Sequence, residues 1–253
     1  MPAVSRDRLS ILTYHSIDDS GSVVSVSPAL FAAQMEELAA RGVKTMTLGA
    51  AGEARRRDGH WPQNAVVITF DDGYANVVEH ALPVLSRHGF VATMFVISGH
   101  VGGQNDWAPR PPQLPPLPIA SWDQLRKLDD SGWELAAHTH THPDLRRLSA
   151  ADIETEFLLC NEDIAANIGR VPASFAYPYG WYSPLAADLA ATTYNVAVTT
   201  KLARARTESG NLLPRIDMFY IRTPTMLSQI VQGKCDRYLA LRCFGRRITQ
   251  WLS

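Results

Sequence analysis

Residues 65–74 read Ala65-Val66-Val67-Ile68-Thr69-Phe70-Asp71-Asp72-Gly73-Tyr74. The first six positions are apolar or β-branched on both alternating faces, the pattern of a strand covered on both sides. The run then breaks into two adjacent carboxylates and a glycine. Strands of that kind belong to helix-covered parallel sheets, and in barrels of this class the chemistry gathers where the strands end. Neighbouring carboxylates repel unless a cation or a proton lies between them. Two readings therefore fit Asp71-Asp72. One carboxylate binds a metal and the other stays free as a base, or the pair forms an Asp-Asp-Gly turn with an aspartate capping the next helix.

Outward from this stretch the same design repeats. The apolar run Trp133–Ala137 ends in His138-Thr139-His140-Thr141-His142-Pro143. Three histidines within five residues are hard to account for by packing, and imidazole is a good ligand for zinc and its neighbours. On a helical turn His138 and His142 would face one way, whereas in an extended segment all three could; a polar solvent loop is the alternative. Ser174–Ala176 leads into Tyr177-Pro178-Tyr179-Gly180, whose rigid aromatic wall would suit a sugar ring or simply pack on the core. The first apolar run, Ser10–Tyr14, is followed by His15, a lone histidine at a strand end. Further runs lie at Val43–Leu48, Phe90–Ile97 and Tyr194–Val198.

Helix punctuation separates these runs. Ser27-Pro28 supplies an N-cap and a first-turn proline, and Gly42 closes that helix. Ala75 to His88 reads as a second helix, kinked by Pro83. Ser121, Ser149 (with Asp152 as a capping box) and Ser183-Pro184 open three more. About seven strand–helix alternations predict parallel βα units. No glycine-rich phosphate fingerprint follows any strand, so a dinucleotide fold gains no support, and chain length with the placement of the polar clusters favours a barrel. The segment from Gly102 to Pro118 holds two glycines and six prolines and reads as a long loop over one barrel face, carrying Trp107.

The chain has 253 residues, 46% of them apolar, with a formal net charge of −1. That length suits one barrel-sized domain, and the charge argues against a nucleic-acid partner. Three cysteines, Cys160, Cys235 and Cys243, have no metal-site spacing and fit a reducing compartment. With no signal-peptide core and no apolar run near the roughly 20 residues of a membrane span, the expectation is a cytoplasmic protein. The stretch 227–253 carries Lys234, Arg237, Arg242, Arg246 and Arg247 among apolar residues. It reads as a basic amphipathic tail beyond a barrel of residues 1–226, either docked on that barrel or touching the inner membrane face.

The Thr-Phe-Asp-Asp-Gly, His-Thr-x-Thr-His and Phe-x-Tyr-Pro-Tyr-Gly runs, in this order, resemble the NodB-type polysaccharide deacetylases, carbohydrate esterase family 4, over about residues 9 to 220. The resemblance implies an α/β fold of the distorted (β/α)7 barrel type. It implies a divalent metal ion, Zn2+ with Co2+, Ni2+ or Fe2+ as alternatives, held by Asp72, His138 and His142. Asp71 would be the general base and the Tyr179 backbone N–H an oxyanion donor, fixed by Pro178. His140 would be a non-ligand. Tyr14, Tyr74, Trp107, Pro178 and Tyr179 are the candidates for substrate contact. Two departures stand out. No histidine follows His142, and the general-acid role would pass to His15 in Tyr14-His15, as in a permuted branch similar to the deacetylases of poly-N-acetylglucosamine biofilm polymers. Ala176 occupies the place of a family arginine, for which Arg215 is the replacement; the alternative is an ordinary surface arginine. The implied activity is removal of an N-acetyl group from an amino sugar in a glycan, glycolipid or sugar conjugate. The rivals are hydrolysis of a non-sugar amide or cyclic imide on the same fold, and a catalytically dead carbohydrate-binding homologue.

Overall fold

Seven parallel strands close into a ring in chain order in a computed structural model that describes residues 7–108 and 114–251, the last eight as backbone only. They are β1 (Arg8–Tyr14), β2 (Ala65–Phe70), β3 (Thr93–Val96), β4 (Glu134–Ala137), β5 (Ser174–Ala176), β6 (Val196–Leu202) and β7 (Leu213–Asp217). Each strand pairs with the next, and β1 closes the ring by pairing β2 over Ser10–Tyr14 and β7 at Leu12–Thr13. This is the expected (β/α)7 architecture.

The ring differs from the sequence reading in one strand. The segment Val43–Leu48 contributes only Lys44–Met46, which pairs the N-terminal half of β2 and stops there. It wedges between β2 and β3, where Val91 N–H donates to Thr45 Oγ1 at 2.8 Å. Lys44 is exposed and Thr45 half-buried, so this strand lacks the two covered faces of a ring member. Thr47 then caps a helix, Leu48–Asp58, which two glycines and a run of arginines conceal in the sequence. The seventh place in the ring belongs to β7.

Side chains alternate across each strand. One set, Ile11, Val67, Phe95, Ala136, Ala176, Val198 and Leu213, clusters with Leu48, Ala51 and Trp61 and fills the barrel from below. The other set, including Leu12, Tyr14, Phe70, Val96 and Phe175, packs beneath the surrounding helices. Ser27, Ser121, Ser149 and Ser183 cap the helices that their sequence contexts mark. The turn before Pro83 widens into a π-helical segment, Val77–Ala81, before the α-helix Leu82–Arg87, which accommodates the missing amide hydrogen.

The long loop is pinned at its base by Asn105, whose side chain accepts from Leu117 N–H at 2.8 Å and donates to Pro115 O at 3.0 Å. Its residues 109–113 lie outside the described residues. The helix Pro224–Val231 spans the boundary placed between 226 and 227, and its Leu227 and Ile230 are buried. The following helix, Asp236–Trp251, is joined to the barrel by Asp236, which pairs with Arg204 at 2.9 Å and with Arg8, and by buried Leu239. The side chains of Arg246 and Arg247, part of the basic tail reading, lie outside the described residues. Among the described residues no helix is long and apolar enough to cross a membrane.

Candidate active site

The strand ends rise to one rim, and the alternation of β2, β4 and β7 decides what enters the barrel mouth. Arg215 shares the parity of Leu213 and therefore points into the barrel, where it is fully buried. Its guanidinium lies 5.5 Å over the Phe95 ring and forms a fork with Asp71, Nη1–Oδ1 and Nη2–Oδ2 both at 2.7 Å. Two further bonds hold it: Nε donates to Thr199 O at 3.0 Å, and Nη1 to Thr69 Oγ1 at 3.2 Å. Burial alone would raise the Asp71 carboxyl, but the Arg215 guanidinium outweighs it and the group lies below its ordinary value.

Asp72 turns the other way. Its Oδ1 stands 3.4 Å from His138 Nε2 and 3.7 Å from His142 Nε2, and one donor atom from each of the three residues lies within 4.8 Å of the others. All three side chains are buried. Donors held about 2.1 Å from a tetrahedral ion stand about 3.4 Å apart. The three therefore fit a divalent cation better than they fit one another, since these separations are long for hydrogen bonds. Burial would raise Asp72, but the two imidazoles pull it well below the carboxylate range. Burial and then His138 push His142 down to about 3, which keeps it neutral, as a ligand must be.

The backbone around these groups is strained in one place. Asp72, Thr139, His142 and Tyr179 have φ between 58° and 72°, and they are four of the five non-glycine residues with positive φ among the described residues. Such conformations persist only where their surroundings enforce them, and they concentrate at functional sites. The enforcement is visible. Thr139 Oγ1 donates to His138 O and accepts from His142 N–H at 3.0 Å, so one hydroxyl ties the two histidine positions together. Glu156, from the helix Ala150–Ile168, accepts from the N–H groups of His140 and Thr141, both at 2.8 Å. His138 Nδ1–H donates to Ala176 O at 2.7 Å, which leaves Nε2 as the ligating atom. Gly180 (φ 71°) completes the Tyr179 turn, because a Cβ there would sit 2.7 Å from the backbone nitrogen of Thr200.

A cleft of about 440 Å³ opens over these groups, lined by His15, Asp71, Asp72, His138, His142 and Tyr179 together with Trp107. His15 Nε2 is 3.8 Å from Asp71 Oδ2. Three of the substrate candidates do not line the cleft. Tyr14 has outward parity, is buried against Phe31 and Phe70, and donates its hydroxyl to Gln34 Oε1 at 2.8 Å. Tyr74 is fully buried behind Trp107, 6.5 Å from that ring. Pro178 is buried and shapes the Tyr179 turn without lining the cleft. His140 faces away, bonding Ser98 Oγ at 2.9 Å and pairing with Asp163 at 3.2 Å. The sequence reading missed Val24, Leu114, Trp181 and Thr200, which also line the cleft. Only Trp181 had a local signal, an aromatic directly after the Pro-Tyr-Gly turn.

Residues 58–197 match the family model described as polysaccharide deacetylase. YxkH of Bacillus subtilis, named for the same family, is 28% identical over 204 residues, 80% of this chain and 68% of that protein. The poly-beta-1,6-N-acetyl-D-glucosamine N-deacetylase of Staphylococcus aureus is 29% identical over 165 residues, 62% of this chain; the match spans about half (54%) of that relative's length. Among solved structures, IcaB from Ammonifex degensii superposes with a TM-score of 0.72 at 26% identity, covering 89% of this chain and 96% of its own. The Streptococcus pyogenes deacetylase PplD, in complex with acetate, gives a TM-score of 0.78 at 24% identity, covering 89% and 98%, which shows the shared fold.

Proposed function

This chain belongs to the polysaccharide deacetylase family, and from that premise we propose that it is a metal-dependent hydrolase that removes the N-acetyl group of an amino sugar. One observation carries the reading. Three donor groups, from Asp72, His138 and His142, converge on one point while the neighbouring carboxylate of Asp71 is clamped apart from them. Asp72, His138 and His142 would hold the ion. Bound there, a divalent cation supplies Lewis acidity toward a carbonyl oxygen and makes water a stronger acid.

The rest falls to the chain. Asp71 takes the proton of the attacking water. The Arg215 fork makes Asp71 a weaker base but keeps it ionised and fixes its lone pairs. The Tyr179 N–H, held by a strained turn whose carbonyl accepts from Thr200 Oγ1 at 3.2 Å, donates toward the oxyanion. His15, whose Nε2 stands 3.8 Å from Asp71 Oδ2, delivers a proton to the departing amine nitrogen, without which an amine leaves poorly. Trp107 and Tyr179 offer aromatic faces to a sugar ring. The fork from Arg215 to Asp71 supports a clamp where Ala176 has no side chain to supply one, and so favours a working site over a dead one.

The test is acetate release from N-acetylglucosamine oligomers by the full chain, first stripped with chelator and then restored with Zn2+ or Co2+. Release that depends on the added ion is the expected result. A restored protein that frees no acetate from these sugars but hydrolyses cyclic imides would overturn the assignment.

A further inference from the structure

The two histidines of the site are oriented by different means. His138 has the usual support, a ring N–H donated to a carbonyl. His142 does not. Its Nδ1 is buried and finds no hydrogen-bond partner among the described residues, although its backbone is in a strained conformation (φ 60°) that packing must enforce. Besides Asp72 and the His138 ring at 4.8 Å, what packs on its ring is aromatic: Tyr179 edge-on at 4.4 Å and Trp107 at 5.1 Å. Tyr179 is in turn backed by the Trp181 ring at 4.7 Å and 34°. Over Trp181, 4.0 Å from its centroid, lies the guanidinium of Arg146. Asp144 grips that guanidinium by a fork, at 2.8 Å to Nε and 2.7 Å to Nη2. The stack begins and ends in one short loop, since Arg146 follows His142 by four residues.

We propose that Asp144, Arg146 and Trp181 are positioning residues that hold the His142 imidazole through Tyr179, a stack in place of the ring hydrogen bond that no described residue gives His142. This inference rests on the reading of Asp72, His138 and His142 as metal ligands. A planar guanidinium suits the role because it can stack on the indole while a carboxylate holds its edge at two points, and the ammonium of lysine, a point charge, cannot be held by such a fork. The same stack packs on Tyr179, whose carbonyl accepts from Thr200 Oγ1, so one device serves both the ligand and the oxyanion donor.

Trp181 also lines the cleft, so the rival role is direct contact with substrate. Metal affinity separates the two. The full chain, stripped of metal, is titrated with Co2+ against a chromogenic chelator, and kcat and KM are measured on N-acetylglucosamine oligomers. Arg146→Ala and Arg146→Lys are expected to weaken Co2+ binding by about tenfold and to lower kcat, with KM within about twofold of wild type. Trp181→Phe, which keeps an aromatic face, should lie between wild type and Arg146→Ala. Arg146 is half-exposed, so its replacement should leave the unfolding midpoint nearly in place. Unchanged Co2+ affinity in Arg146→Ala, with or without a raised KM, would overturn the proposal while leaving the metal site standing. A wild-type chain that takes up no Co2+ would overturn both.

Discussion

The barrel has a carboxylate cluster at each end, and the two are built on opposite principles. At the closed end Glu134, at the start of β4, accepts from Thr93 Oγ1 and Gly49 N–H at 2.9 Å and from Ser174 Oγ at 2.5 Å. Every donor is neutral and close, and Gly49 leaves room for the arrangement, since a Cβ there would stand 2.7 Å from Glu134 Oε1. At the mouth Asp72 has imidazole nitrogens at 3.4 and 3.7 Å, and His142 Nδ1 has no partner among the described residues. Buried polar groups are satisfied as a rule. The Glu134 carboxylate obeys that rule and ties the helix Leu48–Asp58 to the ring, although the buried indole N–H groups of Trp61 and Trp133 nearby find no partner among the described residues. At the mouth the separations between Asp72 and the two Nε2 atoms are those that an ion between them would set. Charge alone distinguishes neither end; the length and completeness of the contacts to the carboxylate do, 2.5–2.9 Å at Glu134 against 3.4 and 3.7 Å at Asp72.

The largest effect should come from removing one carboxylate at each end. Asp71→Asn is expected to lower kcat by roughly 10²–10⁴-fold, the range of a lost general base. It should leave Co2+ affinity near wild type, because Asp72, His138 and His142 are intact. Glu134→Gln keeps the shape of the closed end and should leave kcat within about twofold. Steady-state acetate release on both variants breaks the comparison if the two losses are alike.

Next in size is the clamp. Arg215→Met leaves the buried Asp71 carboxylate without its partner, and breaking such a pair destabilises by roughly 3–5 kcal/mol. The pH dependence has a definite sign. The folded Asp71 carboxyl is held below its ordinary value, so its contribution is present above the usual carboxylate range and is lost as pH falls through the folded value. In Arg215→Met the buried carboxyl is easier to protonate, so the variant recovers first on acidification. Urea midpoints measured from about pH 7 down to about pH 4 should show the gap between the two proteins narrowing. A gap that widens on acidification would mean that Arg215 does not act through Asp71.

How far the site could be read from the chain follows from the same geometry. Asp71-Asp72 and the histidine run were conspicuous because like groups were crowded at the ends of covered strands, and the parallel barrel followed from those strands. Arg215 could be suspected only once Ala176 was compared with the family pattern, because nothing local marks an arginine as inward-facing. The sequence around Val43–Leu48 has strand residues but too few of them, and a three-residue wedge leaves the same trace as a short ring strand. Trp181 and Val24 reach the cleft from loops whose paths depend on tertiary contacts, which no periodicity encodes.

Tyr14 sets the smallest of these tests and the sharpest for the rule of completeness. It adjoins His15, so adjacency in the chain assigns it to substrate. Parity assigns it to the outer layer, where its hydroxyl bonds Gln34 Oε1 and Gln34 Nε2–H in turn donates to Ile221 O at 2.8 Å. That is a satisfied network of the closed-end kind, lying one residue from the mouth. Tyr14→Phe removes one buried hydrogen bond and should lower stability by about 1 kcal/mol. Both kcat and KM on acetylated oligomers should stay within about twofold of wild type. A KM raised tenfold with stability unchanged would place the tyrosine in the cleft after all, and completeness of bonding would then fail as a guide to which polar groups near the mouth do chemistry.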